Sequence, residues 1–116
     1  MIIIFNNKKY SLSTVNDTVS KELSKMLPVK LNVSRSADHE YYGILQNLLS
    51  VDDAERVSFA KADHLYYFKE WNALALNFRD VDIKPYYVYD LGIFPAELSA
   101  LLKSEQAEIE IEIKQN

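Results

Sequence analysis

The sequence predicts a mostly β protein: a closed antiparallel barrel capped by two short helices. Three observations predict it. Short apolar runs with period-two alternation recur along the chain, separated by turn signals. Two stretches switch to helical spacing, one near the start and one near the end. Strands and helices do not alternate one for one, so the pattern of a doubly wound parallel sheet is missing.

Residues 1–5 are short, apolar and rich in isoleucine, which suits a buried strand. Asn6-Asn7 is a turn signal. Residues 8–15 then alternate, with Tyr10, Leu12 and Thr14 on one face, so the two runs form a hairpin. Over residues 18–27 the period changes. Val19, Leu23, Met26 and Leu27 stand at i, i+4, i+7 and i+8, one stripe of a helix. Asn16 or Asp17 offers a side-chain oxygen as N-cap. Pro28 stops the helix, because its ring disfavours helical geometry in the residue before it. Val29, Leu31 and Val33 alternate with polar neighbours as a half-buried strand. Residues 35–40 read as a polar turn and 41–45 as a returning strand. Leu48 and Leu49 are expected to plug an opening of the core. Asp52-Asp53 marks a turn, and residues 57–60 form a short strand or an irregular stretch.

Residues 62–80 carry two aromatic and aliphatic strands joined by a short turn that bears the only tryptophan, Trp71. Leu65 and Tyr67 face one way, Tyr66 and Phe68 the other. Leu74, Leu76 and Phe78 share a face opposite Ala73, Ala75 and Asn77. Alanines on one side fit a curved wall or a close neighbour. Pro85 opens a strand over residues 86–89, confined to its start as the ladder requires, and Gly92 ends it. Pro95 stands in the first turn of a short helix over 96–103, with Leu98, Leu101 and Leu102 inward. The last strand alternates Ile109, Ile111 and Ile113 with Glu108, Glu110 and Glu112. The isoleucines are expected in the core and the glutamates in water, on an exposed strand kept charged against edge pairing.

With 116 residues, residues 1–116 form one domain. Hydrophobic residues make up 48%, which supports a packed core and argues against disorder. The net charge of −4 and a longest basic run of Lys8-Lys9 argue against a nucleic-acid partner, whose phosphates call for a basic face. The lack of cysteine rules out disulfides, thiol catalysis and thiolate metal sites. His39 and His64 match no ligand spacing, so no metal and no cofactor is expected. No signal-peptide pattern stands at the N-terminus, and no apolar stretch approaches the ~20 residues of a membrane span. The expectation is a soluble cytoplasmic protein without a membrane partner.

The opening strand pair, the helix ending in Leu27-Pro28, the strand from Val29 and above all residues 63–80 carry a likeness. With Tyr66-Tyr67, Trp71-Asn72-Ala73-Leu74-Ala75-Leu76 and Leu91-Gly92-Ile93, the chain resembles the small bacterial and archaeal cyclophilin-like fold proteins. That family commonly has a Gly-Asp pair entering the hairpin, where this chain has Ala62-Asp63. The resemblance implies a compact cyclophilin-type β-barrel and a family of unassigned function. True cyclophilins are peptidyl-prolyl isomerases that use an arginine near the proline amide and an aromatic pocket for the ring. Their Phe-His-Arg strand leading to Gln-Gly-Gly-Asp is absent here, so no catalytic residue carries over.

The candidate site is an aromatic groove formed by Trp71, Asn72, Tyr66, Tyr67 and Tyr87. Trp71 leads, because a turn explains a large aromatic less easily than a core does, and Asn72 beside it offers a donor and an acceptor. Arg35, at a hairpin tip, Arg56 and Arg79 are expected in solvent. Ser58, Asp63 and His64 do not form a triad, because adjacent Asp and His point apart in a strand and no Gly-x-Ser-x-Gly turn is present. The expected function is binding of a small molecule or short peptide without catalysis. The alternatives are a divergent peptidyl-prolyl isomerase and an interaction module, monomer or homodimer, pairing through the N-terminal strand or the aromatic face.

Overall fold

The computed structural model describes residues 1–15 and 17–116. The chain opens with β1 (Ile2–Phe5) and β2 (Lys8–Ser11), paired so that Phe5 lies opposite Lys8. Asn6 and Asn7 both take positive φ, 56° and 63°, which a tight hairpin turn demands and asparagine tolerates. The alternating run expected over 8–15 divides at Leu12, and β3 (Ser13–Thr14) leaves for another partner.

Asp17 caps α1 (Thr18–Lys25). Its carboxylate accepts from the Ser20 backbone N–H at 3.0 Å, and Ser20 Oγ accepts from the Asp17 N–H at 3.3 Å. Asn16, the other candidate cap, lies outside the described residues. Val19 and Leu23 enter the core. The helix ends at Lys25, and Met26 and Leu27 pack on the core from beyond it. β4 (Val29–Ser36) and β5 (Glu40–Ile44) form a second hairpin, with Ala37 and Asp38 at positive φ. Arg35 therefore lies within a strand and not at the tip. Between β5 and the next strand Leu49 is buried, whereas Leu48 is exposed; one leucine fills the opening, not two.

Then come β6 (Arg56–Val57), β7 (Phe59–Ala60), β8 (His64–Phe68), a 3-10 turn at Lys69–Trp71, β9 (Ala73–Asn77), β10 (Val81–Asp82) and β11 (Val88–Ile93). The strand expected from Tyr86 begins at Val88, and Gly92 sits within it rather than at its end. Gly92 follows a bulge at Asp90, where the register with β8 shifts, and has φ 157°. α2 (Ala96–Ser104) buries Leu98 and Leu102, while Leu101 turns outward because it lies off their i,i+4 stripe. β12 (Ile109–Lys114) completes the chain.

One antiparallel sheet runs β2-β1-β12-β4-β5-β9-β8-β11-β3, with β6 also on β11. Its first and last strands are joined through Leu12 alone, so the sheet must curl until its edges meet. This is why it is a nearly closed barrel. Leu12 is buried at the seam, and its N–H donates to the Met1 carbonyl at 2.9 Å. β12 lies between β1 and β4, so the glutamate row belongs to an interior strand and guards no edge. β1 is likewise paired on both sides and offers no free edge to a second copy. Ile3, Tyr41, Leu65, Tyr67, Leu74, Leu76 and Phe78 fill the interior together with the helix leucines. On the opposite face of β8, a ribbon of β7 and β10 crosses over a small second cluster of Ala60, Tyr66 and Val88.

Candidate functional site

Alternation on three neighbouring strands builds a trough on the outer face of the barrel. β9 lies between β5 and β8, and cross-strand register aligns their outward residues in rows. One row is Tyr42, Ala75 and Tyr66. The next is Ile44, Ala73 and Phe68. The third is Glu40, Asn77 and His64. In the first two, a small residue on the central strand is flanked by large ones. The alanines form the floor and Tyr42, Tyr66 and Phe68 form the walls, while Ile44 lies outside the trough. The inward face of β9 carries Leu74 and Leu76 into the core. The alanines that the sequence assigns to a curved wall or close neighbour thus make room for a groove.

Trp71 closes one end. Its ring stands 5.7 Å from that of Tyr42 and meets Phe68 edge-on at 5.2 Å, and Phe68 meets Tyr86 edge-on at 6.1 Å. Ile83, Tyr86, Val88 and Ala60 form the far wall. The volume is about 340 Å³, at the lower end of the usual range for small-molecule sites. Trp71 and Tyr86 remain 54% and 62% exposed, although a core would have hidden both rings.

Ser36, His39, Glu40 and Asn77 line the other end. Asn77 is buried, and its amide donates to the carbonyls of Lys61 at 2.9 Å and Arg79 at 2.8 Å. Its Oδ1 is left to accept, so His39 donates from Nδ1 at 3.0 Å and a neutral ring keeps Nε2 as an acceptor. The Glu40 carboxylate is 22% exposed and lies 3.6 Å from His39 Nδ1. Burial pushes its pKa above the ordinary carboxylate value, and the nearby His39 pulls the other way. Burial also raises the pKa of the Tyr66 phenol, whose oxygen accepts from the Lys61 N–H. Among the described residues, no group of three or more His, Cys, Asp or Glu is arranged to hold a metal. No described helix is long and apolar enough to cross a membrane.

The sequence model of the Cyclophilin-like family matches residues 3–114. The chain belongs to the cyclophilin-like family. The solution structure of the hypothetical protein AF2241 from Archaeoglobus fulgidus resembles it with a TM-score of 0.71, over 99% of this chain and 92% of that one. Identity between the two is 16%, so the likeness is one of fold. No curated protein matches the chain.

In this cyclophilin-like barrel the five residues expected in the groove separate. Trp71 and Tyr66 line the trough. Tyr67 points the other way, fully into the core, as the alternation of β8 requires. Asn72 is occupied by the fold: it takes φ 50° and ψ 46°, and its amide donates to the carbonyls of Leu45 at 3.0 Å and Asn47 at 3.1 Å. Tyr87 lies outside the trough with the Arg56 guanidinium over its ring at 4.4 Å. Phe68 and Tyr86 also line the trough, Phe68 on the face of β8 that the alternation shares with Tyr66. Tyr42, Ala73, Ala75 and Glu40 emerge only once the β5–β9 register is known.

Arg56 and Arg79 are exposed, as expected of them, but Arg35 is not. The Arg35 side chain is only 14% exposed. It donates to the carbonyls of Leu102 at 2.9 Å and Glu105 at 2.7 Å, holding the end of α2, and lies over the Phe78 ring. Arg79 donates to the Asp38 carbonyl at 3.0 Å. Among the described residues, no arginine lines the trough. His64 Nδ1 lies 3.0 Å from Asp90 Oδ2, and its ring stacks on Tyr66.

Proposed function

We propose that this cyclophilin-like domain is a binding module that takes a small molecule, or a side chain of a short peptide, in the trough, and does no chemistry of its own. The observation that carries this reading is the floor of Ala73 and Ala75, small residues walled by Tyr42, Tyr66 and Phe68 beneath an exposed Trp71. A divergent prolyl isomerase is disfavoured, because an arginine must reach the prolyl nitrogen and none lines the trough.

The test is a titration of isotope-labelled protein with proline-containing peptides and a fragment library. Binding is read at the Trp71 indole N–H and at the methyls of Ala73 and Ala75. Ala75→Leu should fill the floor and abolish the response. Tyr86→Ala, at an exposed rim position, should weaken it without unfolding the domain. Shifts that cluster elsewhere, or binding indifferent to both substitutions, would overturn the reading. Exchange catalysis on a proline peptide would overturn its non-catalytic part.

A further inference from the structure

We infer that the trough selects an organic cation: an ammonium group carried on an apolar or aromatic body. This rests on the binding reading above and names the ligand class. The trough joins two recognition elements for such a ligand. Tyr42, Phe68, Trp71 and Tyr86 present ring faces and edges around a floor of alanine. Aromatic faces attract a cation that has left bulk water, and more strongly as the site becomes drier. Glu40 stands two residues before Tyr42 on the same face of β5, a rise of about 7 Å along a strand. A body lying over the rings therefore brings its head to the carboxylate.

Glu40 is also short of partners. No described side chain donates it a hydrogen bond, and the only basic group near it, His39, gives its Nδ1 proton to Asn77. Among the described residues, no lysine or arginine lines the trough. The charge facing a ligand is therefore a part-buried carboxylate that receives no hydrogen bond and whose basic neighbour, His39, lies 3.6 Å away with its Nδ1 turned to Asn77. A ligand ammonium supplies a countercharge, a neutral head supplies none, and a carboxylate is repelled.

The experiment compares phenethylamine, phenethyl alcohol and phenylpropionate, which share an aromatic body and differ in the charge of the head. A second arm uses a short peptide whose lysine brings the same ammonium from a chain. Affinities are read at the Trp71 indole and the Ala75 methyl, in the native protein and in Glu40→Gln. The amine should bind about tenfold tighter than the alcohol, with the acid weakest. Glu40→Gln should bring the amine-to-alcohol ratio close to unity. Preference for the lysine peptide over phenethylamine supports the same chemistry with a protein source; the reverse supports a free amine. Equal affinity for amine and alcohol in the native protein overturns the cation inference and leaves the binding reading standing. A ratio that survives Glu40→Gln overturns the role of Glu40. No response at the trough from any probe overturns both.

Discussion

The hydroxyl of Tyr67 donates to Oδ1 of Asn72 at 2.7 Å, and through that bond the barrel interior holds the turn that presents Trp71. The same hydroxyl accepts from the Leu49 N–H at 3.2 Å. Two residues that look like ligand contacts in the sequence are instead the support beneath one.

Removing that hydroxyl tests the support. Tyr67→Phe strands the Leu49 N–H and one Asn72 lone pair in a buried place. It should cost about 1–3 kcal/mol of stability, read by urea denaturation. Trp71 is the only tryptophan, so its emission reports the loosened turn directly. A cost near zero would mean that water replaces the hydroxyl and the turn does not depend on it.

Asn72 tests the backbone of the same turn. Its left-handed geometry disfavours a Cβ-bearing residue that lacks a local hydrogen bond. Both Asn72→Ala and Asn72→Gly lose the bonds to Leu45 and Asn47, but only alanine adds backbone strain. Asn72→Ala should be less stable than Asn72→Gly by about 1 kcal/mol in thermal unfolding. The opposite order would show that the left-handed φ is not what separates the two variants.

Gly92 tests the pairing of β11 with β3. A Cβ there would stand 2.5 Å from the Ser13 carbonyl oxygen and 3.0 Å from Thr14 Cα, at a φ that L-residues rarely adopt. Gly92→Ala should cost about 2–3 kcal/mol and push β3 from β11. Hydrogen exchange should quicken at the Val15 N–H, which bonds the Leu91 carbonyl beside this strand pair. Unchanged exchange there would mean that the strain is absorbed along β11 instead.

Glu40 gives a pH dependence whose sign follows from linkage. Burial raises its folded pKa above the ordinary 4.5, so the folded chain holds the proton more tightly than the unfolded one. Ionised Glu40 therefore destabilises the fold at neutral pH. That penalty is relieved as pH falls through the raised folded value and is gone below the unfolded one. Glu40→Gln should stabilise the domain at pH 7 and lose that advantage on acidification towards pH 4, measured as the difference in denaturation midpoint between variant and native protein. A constant difference across this range would show that Glu40 is not desolvated.

The period-two alternation, the asparagine turn and the helix stripes were sufficient for a mostly β barrel with two helices, because hydrophobic period and turn chemistry are local properties of the chain. They also divided residues 64–78 correctly between two faces, with Leu65, Tyr67, Leu74 and Leu76 on one and Tyr66, Phe68, Ala73 and Ala75 on the other. Which face was core, and which strands lay side by side, depended on pairing between residues far apart in sequence. Tyr42 reaches Ala75, and Ala75 reaches Tyr66, only through the order β5–β9–β8. The glutamates of β12 looked like an edge device until β12 was found between β1 and β4. Tyr67 and Asn72 looked free until each was found bonded to the other. A residue's period states its face, but its neighbours across the sheet decide whether that face is filled, covered or left open, and in this chain that decision makes the trough.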